Sequence, residues 1–412
     1  MSPAPPEISA TLAAVSGQLG FDPFEAGITR IAETTGLDRT GIPTFSCTCP
    51  GTHDAISVYS GKGLTREHAV LTAIMECIER TAAGWNAERT FSAAPIELKQ
   101  RDRLFLRMTE LPKDAGRRRR PIAWAYARHL RRESLHPIPA AGVFCGYLGP
   151  GAGTLQSVTT NGLAAHLTRA AAIEGALLEL IERHLVSLAE VRGFARRRRL
   201  LAHWRSLGIA VPPILLGAEH DPDAHPTVDG GTCDGAPADL IARFRQAGLR
   251  PVLKWLPNHF GLYAFAAAVA EPLAPGTVLA TAGFGVARDK YDAASRALLE
   301  LAQSRVTDLQ GAREDVADLE KSRWTAKERH WLLTPGQKTC DWRDVALTRA
   351  PAGDLADELA CAGYADILIV DFPVAQPVHV VRAVVPGLET WHATAGSSRF
   401  GAAARRLLAK ET

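Results

Sequence analysis

Two pairs of acids set the chemical problem of this chain. Glu76 and Glu79 stand three residues apart, as do Glu179 and Glu182, and an arginine follows each pair, Arg80 and Arg183. Residues at that spacing share one face of a helix. Ile74, Met75, Cys77 and Ile78 surround the first pair, and Leu177, Leu178, Leu180 and Ile181 surround the second. A carboxylate in such a run must be paired or must bind a cation, because burying a lone charge is costly. The adjacent arginines are one source of positive charge, and a bound metal is the other. Carboxylates from two helices suit a hard cation such as Mg²⁺, which takes oxygen ligands and bridges to phosphates. Neither pair has the histidine that a di-iron helix bundle would use. Ordinary Glu–Arg pairing on a helix surface would explain one such motif. Two copies in apolar settings point to metal or nucleotide binding instead.

A glycine-containing loop feeds each of these helices. Gly61, Lys62 and Gly63 precede the first, and Asn161 and Gly162 precede the second. A third unit has Gly283 and Gly285, then a helix bearing Arg296, Glu300, Gln303 and Arg305. In each unit an acid follows the last shared glycine by 13 to 17 residues. Repeated units of this kind pack around a common centre. Lys62 between its two glycines could approach a phosphate as a point charge. The frame of a Walker loop is absent. His53, His68, His166 and His184 fall near the motifs, but no His-x-x-x-His pair or Ser/His/Asp elbow accompanies them.

Elements must position these groups. Apolar periodicity predicts helices over 65–83, 167–186 and 289–309. Strands are expected at 55–59, 121–126, 142–147, 252–256, 262–269, 365–370 and 378–385. Strands and helices mix throughout, so the fold class is α/β, or mixed α+β, with repeated strand–helix units around a central site. Residues 1–20 are expected as a flexible N-terminal segment, 21–400 as the main domain and 401–412 as a C-terminal tail. Linkers are expected at 111–120 and 350–354, and the long Pro- and Gly-rich stretch 217–237 reads as a surface loop or lid.

Composition narrows the function. A net charge of +3 on 412 residues is too small to argue for nucleic acid. The arginine runs at 117–120 and 196–199 read as solvated loop or helix ends. The seven cysteines are irregularly spaced: Cys47 and Cys49 form a close pair with no second pair to complete a zinc site. Cys77 and Cys145 sit in apolar surroundings and read as core thiols, a pattern that fits a reducing cytoplasm. The Pro-rich start lacks the pattern of a signal peptide, and no apolar run is long enough to span a membrane.

Taken together, these residues resemble the YcaO family over most of the chain, from about Ile28 to Glu389. Gly27 to Arg30 and Thr35 to Pro43 look like its opening block. The stretch from Ser60 to Thr65, with Glu76 to Arg80, looks like its first ATP/Mg²⁺ block. Asn161 to Leu163 with Glu179 to Arg183 looks like the second, and Arg296 to Arg305 with Gly311 to Asp315 looks like the third. Val384 to Glu389 looks like the family's late strand and turn. The resemblance implies a composite fold around a nucleotide and Mg²⁺ site. It implies that ATP phosphorylates a backbone amide oxygen of a peptide or protein substrate and that a nucleophile then adds to the activated carbon. The product would be an azoline, an amidine or a thioamide.

By that resemblance Glu76, Glu79, Glu179 and Glu182 hold Mg²⁺, and Arg183, Arg296 and Glu300 lie at the nucleotide. Ser60, Lys62, Arg80, Asn161, Gln303 and Arg305 complete the expected nucleotide-binding set. The chain ends without the Pro-rich tail of azoline-forming members. With the block from Gly311 to Asp315, this leans toward the stand-alone or TfuA-associated type, linked to thioamides, with a TfuA-like partner protein and a homodimer. In one respect the chain departs from the family. Ala165, Leu167 and Ala171 stand where many members carry a Ser, an Asn and a metal-binding Glu, and Glu174 lies one helical turn from Ala171. The departure keeps open a weakened member that binds a precursor peptide. A Mg²⁺-dependent phosphotransferase acting on a small molecule is the reading that uses no resemblance.

Overall fold

Each of the three expected units is a strand leading into a helix, and each of the three strands lies at the edge of its sheet. The computed structural model describes residues 6–54, 56–99, 120–150, 160–206, 222–274, 277–311, 330–389 and 402–411. The first sheet is β1 (Arg30–Glu33), β2 (Thr44–Thr48) and β3 (Val58–Lys62), antiparallel in that order. The second contains β4 (Phe91–Ala93), β5 (Ile122–His129), β6 (Leu135–Pro139), β7 (Leu163–His166), β13 (Leu368–Phe372) and β14 (His379–Val384). Its order is β4-β5-β13-β14-β7, with β6 paired to β5. The third runs β11-β10-β9-β8-β12, from β8 (Thr227–Val228), β9 (Val252–Trp255), β10 (Tyr263–Ala274), β11 (Thr277–Ala287) and β12 (Thr339–Cys340). The fold is therefore mixed α/β, as expected.

The helices are α1 (Pro6–Leu19), α2 (Arg66–Ala82), α3 (Pro95–Lys99), α4 (Arg169–Ser206), α5 (Gly235–Gln246), α6 (Lys290–Gln310), α7 (His330–Leu333), α8 (Leu355–Cys361) and α9 (Ala402–Glu411). α2 follows β3, α4 follows β7 and α6 follows β11. Local chemistry starts and stops them. Thr65 caps α2 by accepting the His68 N–H, and Asp289 caps α6 by accepting the N–H groups of Tyr291 and Asp292. Gly311, with φ of 59°, ends α6 in the left-handed conformation.

Glycines let two of these helices lie close on their strands. A Cβ on Gly61 would overlap the carbonyl oxygen of Ala69 and the amide nitrogen of Ala73 in α2. Gly283 and Gly285 meet the backbone of α6 in the same way, at Ala297 with Leu301 and at Ala293 with Ala297. The shared glycines of the first and third units thus bring each helix face, with its acids, close to its edge strand. Buried Ala69, Ala73, Ile74, Cys77 and Ile78 fix the side of α2 that faces the core.

Four expectations need correction. Most of the N-terminal segment 1–20 is the helix α1, held because Val15 and Leu19 are fully buried in the core. Residues 142–147 form no strand: their apolar run is buried, but Gly146 adopts a φ of 58° against the backbone of His53, so the chain turns there. The stretch 217–237, read as a surface loop or lid, contributes the buried strand β8, hydrogen-bonded between β9 and β12. The C-terminal segment 401–412 contains α9, packed on α4, and the Glu389 carboxylate accepts the Ala404 N–H near its start. Most of linker 111–120 and the block from Ala312 to Asp315 lie outside the described residues.

Among the described residues, no helix is long and apolar enough to cross a membrane. Cys47, Cys49, Cys77 and Cys145 are all buried free thiols, as the apolar setting of the last two implied.

Candidate active site

The three helices converge on a cavity of about 540 Å³, a size in the usual range for small-molecule sites. Each helix contributes one face. From α6 come Arg296, Glu300, Gln303, Ser304, Thr307 and Asp308, the spacing of a single helical stripe. α4 gives Gly175, Leu178, Glu179, Glu182 and Arg183 by the same rule, and α2 gives Glu76. Lys62 closes the site from the end of β3.

Edge strands hold the acids in place. An edge leaves backbone N–H groups without a strand partner, and here carboxylates take them. The Gly162 N–H donates to Glu179 Oε2 at 2.9 Å. Glu300 accepts from the backbone of Phe284 in β11, and Glu79 accepts from the backbone of Ala165 in β7. The last contact crosses from the first unit to the second. It depends on the Ala165 backbone, not on the side chain that differs from the family pattern. The first and third units are joined by Lys62 Nζ, 3.1 Å from Glu300 Oε2, and by Gln303, which donates from Nε2 to the carbonyl of Ser60.

The electrostatics show half-buried carboxylates crowded together. Burial, then the nearby Glu179 and Glu76, pushes the Glu79 carboxyl well above its ordinary range. Burial also raises Glu179, against the opposing pull of Arg183. Glu182 is raised by burial and by Glu300, again opposed by Arg183. Glu300 moves the other way: burial would raise it, but Lys62 and Arg183 outweigh that and hold it low. Arg183 lies 3.8 Å from Glu179 and 3.5 Å from Glu182, so one guanidinium serves two acids. The buried Arg382 of β14 adds a cation beside Glu179 and Glu79. Raised carboxyls mark a site that gains from further positive charge.

That charge fits a divalent cation held jointly with phosphate. Among the described residues, no three His, Cys, Asp or Glu side chains converge closely enough to cage an ion alone. Mg²⁺ does not need such a cage. It is commonly bound by one or two carboxylates together with phosphate oxygens and water. Carboxylates spread around a cavity, facing Lys62, Arg183 and Arg296, are the donor set for that mode.

Other expected residues sit differently. Arg305, expected at the nucleotide, is not among the described cavity-lining residues. Its side chain is 1% exposed, 3.1 Å from Asp38 and 2.8 Å from Glu271, where it ties α6 to the loop after β1 and to β10. Arg80 faces Asp54 at 2.7 Å, behind Glu76 and Glu79. Ser60 meets the site through its backbone carbonyl, and Asn161 precedes the Gly162 amide that holds Glu179. Glu174 is exposed, 4.0 Å from Arg288, and is likewise not among the described lining residues. Thr281, Ser304, Thr307, Asp308 and Arg382 were not anticipated. Ser304, Thr307 and Asp308 could have been found by extending the Arg296–Glu300 stripe along its helix. Thr281 and Arg382 carry no such signal.

Comparison with known proteins adds kinship to this geometry. The profile of the family described as YcaO cyclodehydratase, ATP- and Mg²⁺-binding, matches residues 60–389. An uncharacterized protein of Methanothermobacter thermautotrophicus is 34% identical over 95% of this chain and 96% of its own length. A protein encoded in the tfuA 3′ region of Rhizobium leguminosarum bv. trifolii is 28% identical over 88% of this chain and 84% of its own. Among solved structures, YcaO from Methanopyrus kandleri bound with AMPPCP and Mg²⁺ superposes with a TM-score of 0.63, covering 93% of this chain and 91% of that one, at 24% identity.

Proposed function

The chain belongs to the YcaO cyclodehydratase family, whose members bind ATP and Mg²⁺, and from that premise we propose that it activates a backbone amide of a ribosomally made peptide or protein for thioamide formation. The observation that carries the proposal is the convergence of Glu76, Glu179, Glu182 and Glu300 with Lys62, Arg183 and Arg296 on one cavity.

When bound, ATP supplies the phosphoryl group and Mg²⁺ neutralises its charge. Glu76, Glu79, Glu179 and Glu182 are the residues we assign to the metal. Lys62, Arg183 and Arg296 would hold the phosphates, with Glu300 orienting Lys62 and Gln303 fixing β3 against α6. The amide oxygen takes the phosphoryl group. Hydrosulfide then adds to the carbon, the oxygen departs as inorganic phosphate, and a C=S bond remains. The choice of sulfide follows the resemblance of the block from Gly311 to Asp315 to the TfuA-associated type, and the relative encoded in a tfuA 3′ region motivates a TfuA-like partner protein. We further assign the protein to the cytoplasm, as a homodimer, from the same reading. Azoline and amidine formation use the same activation and differ only in the nucleophile.

A second reading is favoured by Ala171. The family's metal-binding Glu is missing there, and Glu174 is turned toward Arg288. A chain so altered would bind a precursor peptide or partner without turnover. Incubation with Mg²⁺, ATP, sulfide and a candidate peptide separates the readings. A mass gain for oxygen-to-sulfur exchange supports thioamidation, and loss of water supports azoline formation. An unmodified peptide, retained by the protein without ADP release, supports the binding reading and contradicts the enzyme.

A further inference from the structure

We propose that Thr281, with Ser304 and Asp308, forms a sugar-recognising end of the cavity that reads the ribose hydroxyls of the bound nucleotide. The proposal rests on the assignment of this cavity to ATP.

Thr281 stands in the same row of β11 as Gly283 and Gly285, because alternate residues of a strand share a face. That row faces α6. Gly285 meets the helix at Ala293 and Ala297, and Gly283 meets it at Ala297 and Leu301. The row advances about one helical turn for every two strand residues, which brings Thr281 to the turn containing Ser304. At Thr281 the row presents a hydroxyl where Gly283 and Gly285 have no side chain.

The hydroxyl has an unmet need. Thr281 is 1% exposed and lines the cavity, and its Oγ1 has no hydrogen-bond partner among the described residues. Buried hydroxyls are normally paired. Rotation about a single bond exchanges the hydroxyl and methyl positions of threonine, so the group can turn to a ligand. Its neighbours along the cavity complete the chemistry. Ser304 and Asp308 lie four and eight residues past Glu300 on α6, about 6 and 12 Å along the axis at 1.5 Å per residue. The charged end around Lys62, Glu182 and Glu300 suits phosphate and metal, so this polar end falls where a nucleoside extends from its phosphates. A sugar diol both donates and accepts. A carboxylate accepts, and two hydroxyls do either. An acid serves the ribose hydroxyls of dinucleotide-binding folds for the same reason.

The test measures, for the full chain with Mg²⁺, calorimetric binding of ATP, 2′-deoxy-ATP and 3′-deoxy-ATP, and ADP or deoxy-ADP release from each with peptide. The wild type should show a KM for ATP at least about tenfold below that for one deoxy analogue, because a site built to bond a hydroxyl rejects the ligand that lacks it. Thr281→Val should raise the KM for ATP and erase that preference with kcat little changed. Thr281→Ser should restore both, which a folding defect in the valine variant would not explain. Asp308→Asn should also weaken the preference. Wild-type KM values and preference in Thr281→Val would overturn the sugar end alone. A wild type that neither binds nor cleaves any of the nucleotides would overturn the ATP assignment with it.

Discussion

Lys62 Nζ lies 3.1 Å from Glu300 Oε2, a salt bridge that spans from the first strand–helix unit to the third. Both side chains line the cavity, so the bridge belongs to the site as well as to the fold. Lys62→Met and Glu300→Gln should each lower kcat/KM for ATP by about 100-fold, the usual cost of removing one electrostatic contact to a transferring group. Because the pair acts as a unit, the double variant should be far less impaired than the product of the two losses. Steady-state ADP release gives all four values.

The raised Glu182 makes metal binding depend on pH. Its carboxyl is pushed up to about 7 in the fold, against about 4.3 in an unfolded chain. A raised acid favours the folded state fully below its unfolded value, and that contribution is lost as pH climbs through the folded value. The metal-free protein should therefore lose stability from pH 5 to pH 8. Metal binding needs the ionised form and releases the proton, so Mg²⁺ affinity should rise by up to about tenfold per pH unit below neutrality for one coupled proton. Calorimetric titration across this range should show the slope in the wild type and a flatter one in Glu182→Gln.

Arg305 should behave as a stabilising residue. Its guanidinium is buried against Asp38 and Glu271. Arg305→Met strips buried Asp38 of its guanidinium and leaves Glu271 with Arg39 alone, and removing one partner of a buried ion pair costs about 3–5 kcal/mol. Urea denaturation should record that loss, while the KM for ATP of the folded fraction stays near wild type.

Gly61 tests the close approach of strand and helix. A methyl group there would meet the backbone of Ala69 and Ala73. Gly61→Ala should cost about 1–3 kcal/mol, the range for overpacking a filled interior. It should also lower activity, because α2 carries Glu76 and must shift to accommodate the methyl. Denaturation and ADP release measure the two effects separately.

How far the sequence carried this picture follows from where the information lies. The acids of α2 and α4 were legible because a charged pair inside an apolar helix face is locally anomalous. The third unit was legible because its glycines repeat those of the first. Arg305 was not. On the helix it looks like Arg183, and the difference lies in Asp38 and Glu271, which are distant in sequence. Strand β8 was hidden because two buried residues between Pro226 and Gly230 carry too little periodicity to stand out from a loop. α1 was missed by giving weight to its Pro-rich start instead of the spacing of Leu12, Val15 and Leu19. Thr281 could not be singled out, because nothing in its sequence neighbourhood signals a buried hydroxyl without a partner among the described residues.

Mg²⁺-dependent ADP release from ATP in the presence of a candidate peptide tests the central claim most directly, measured for the wild type beside Glu76→Gln and Glu182→Gln. The account predicts peptide-stimulated ADP release by the wild type and its loss in both variants, which remain folded. Absence of ADP under every condition, with nucleotide binding the same in all three proteins, would contradict it.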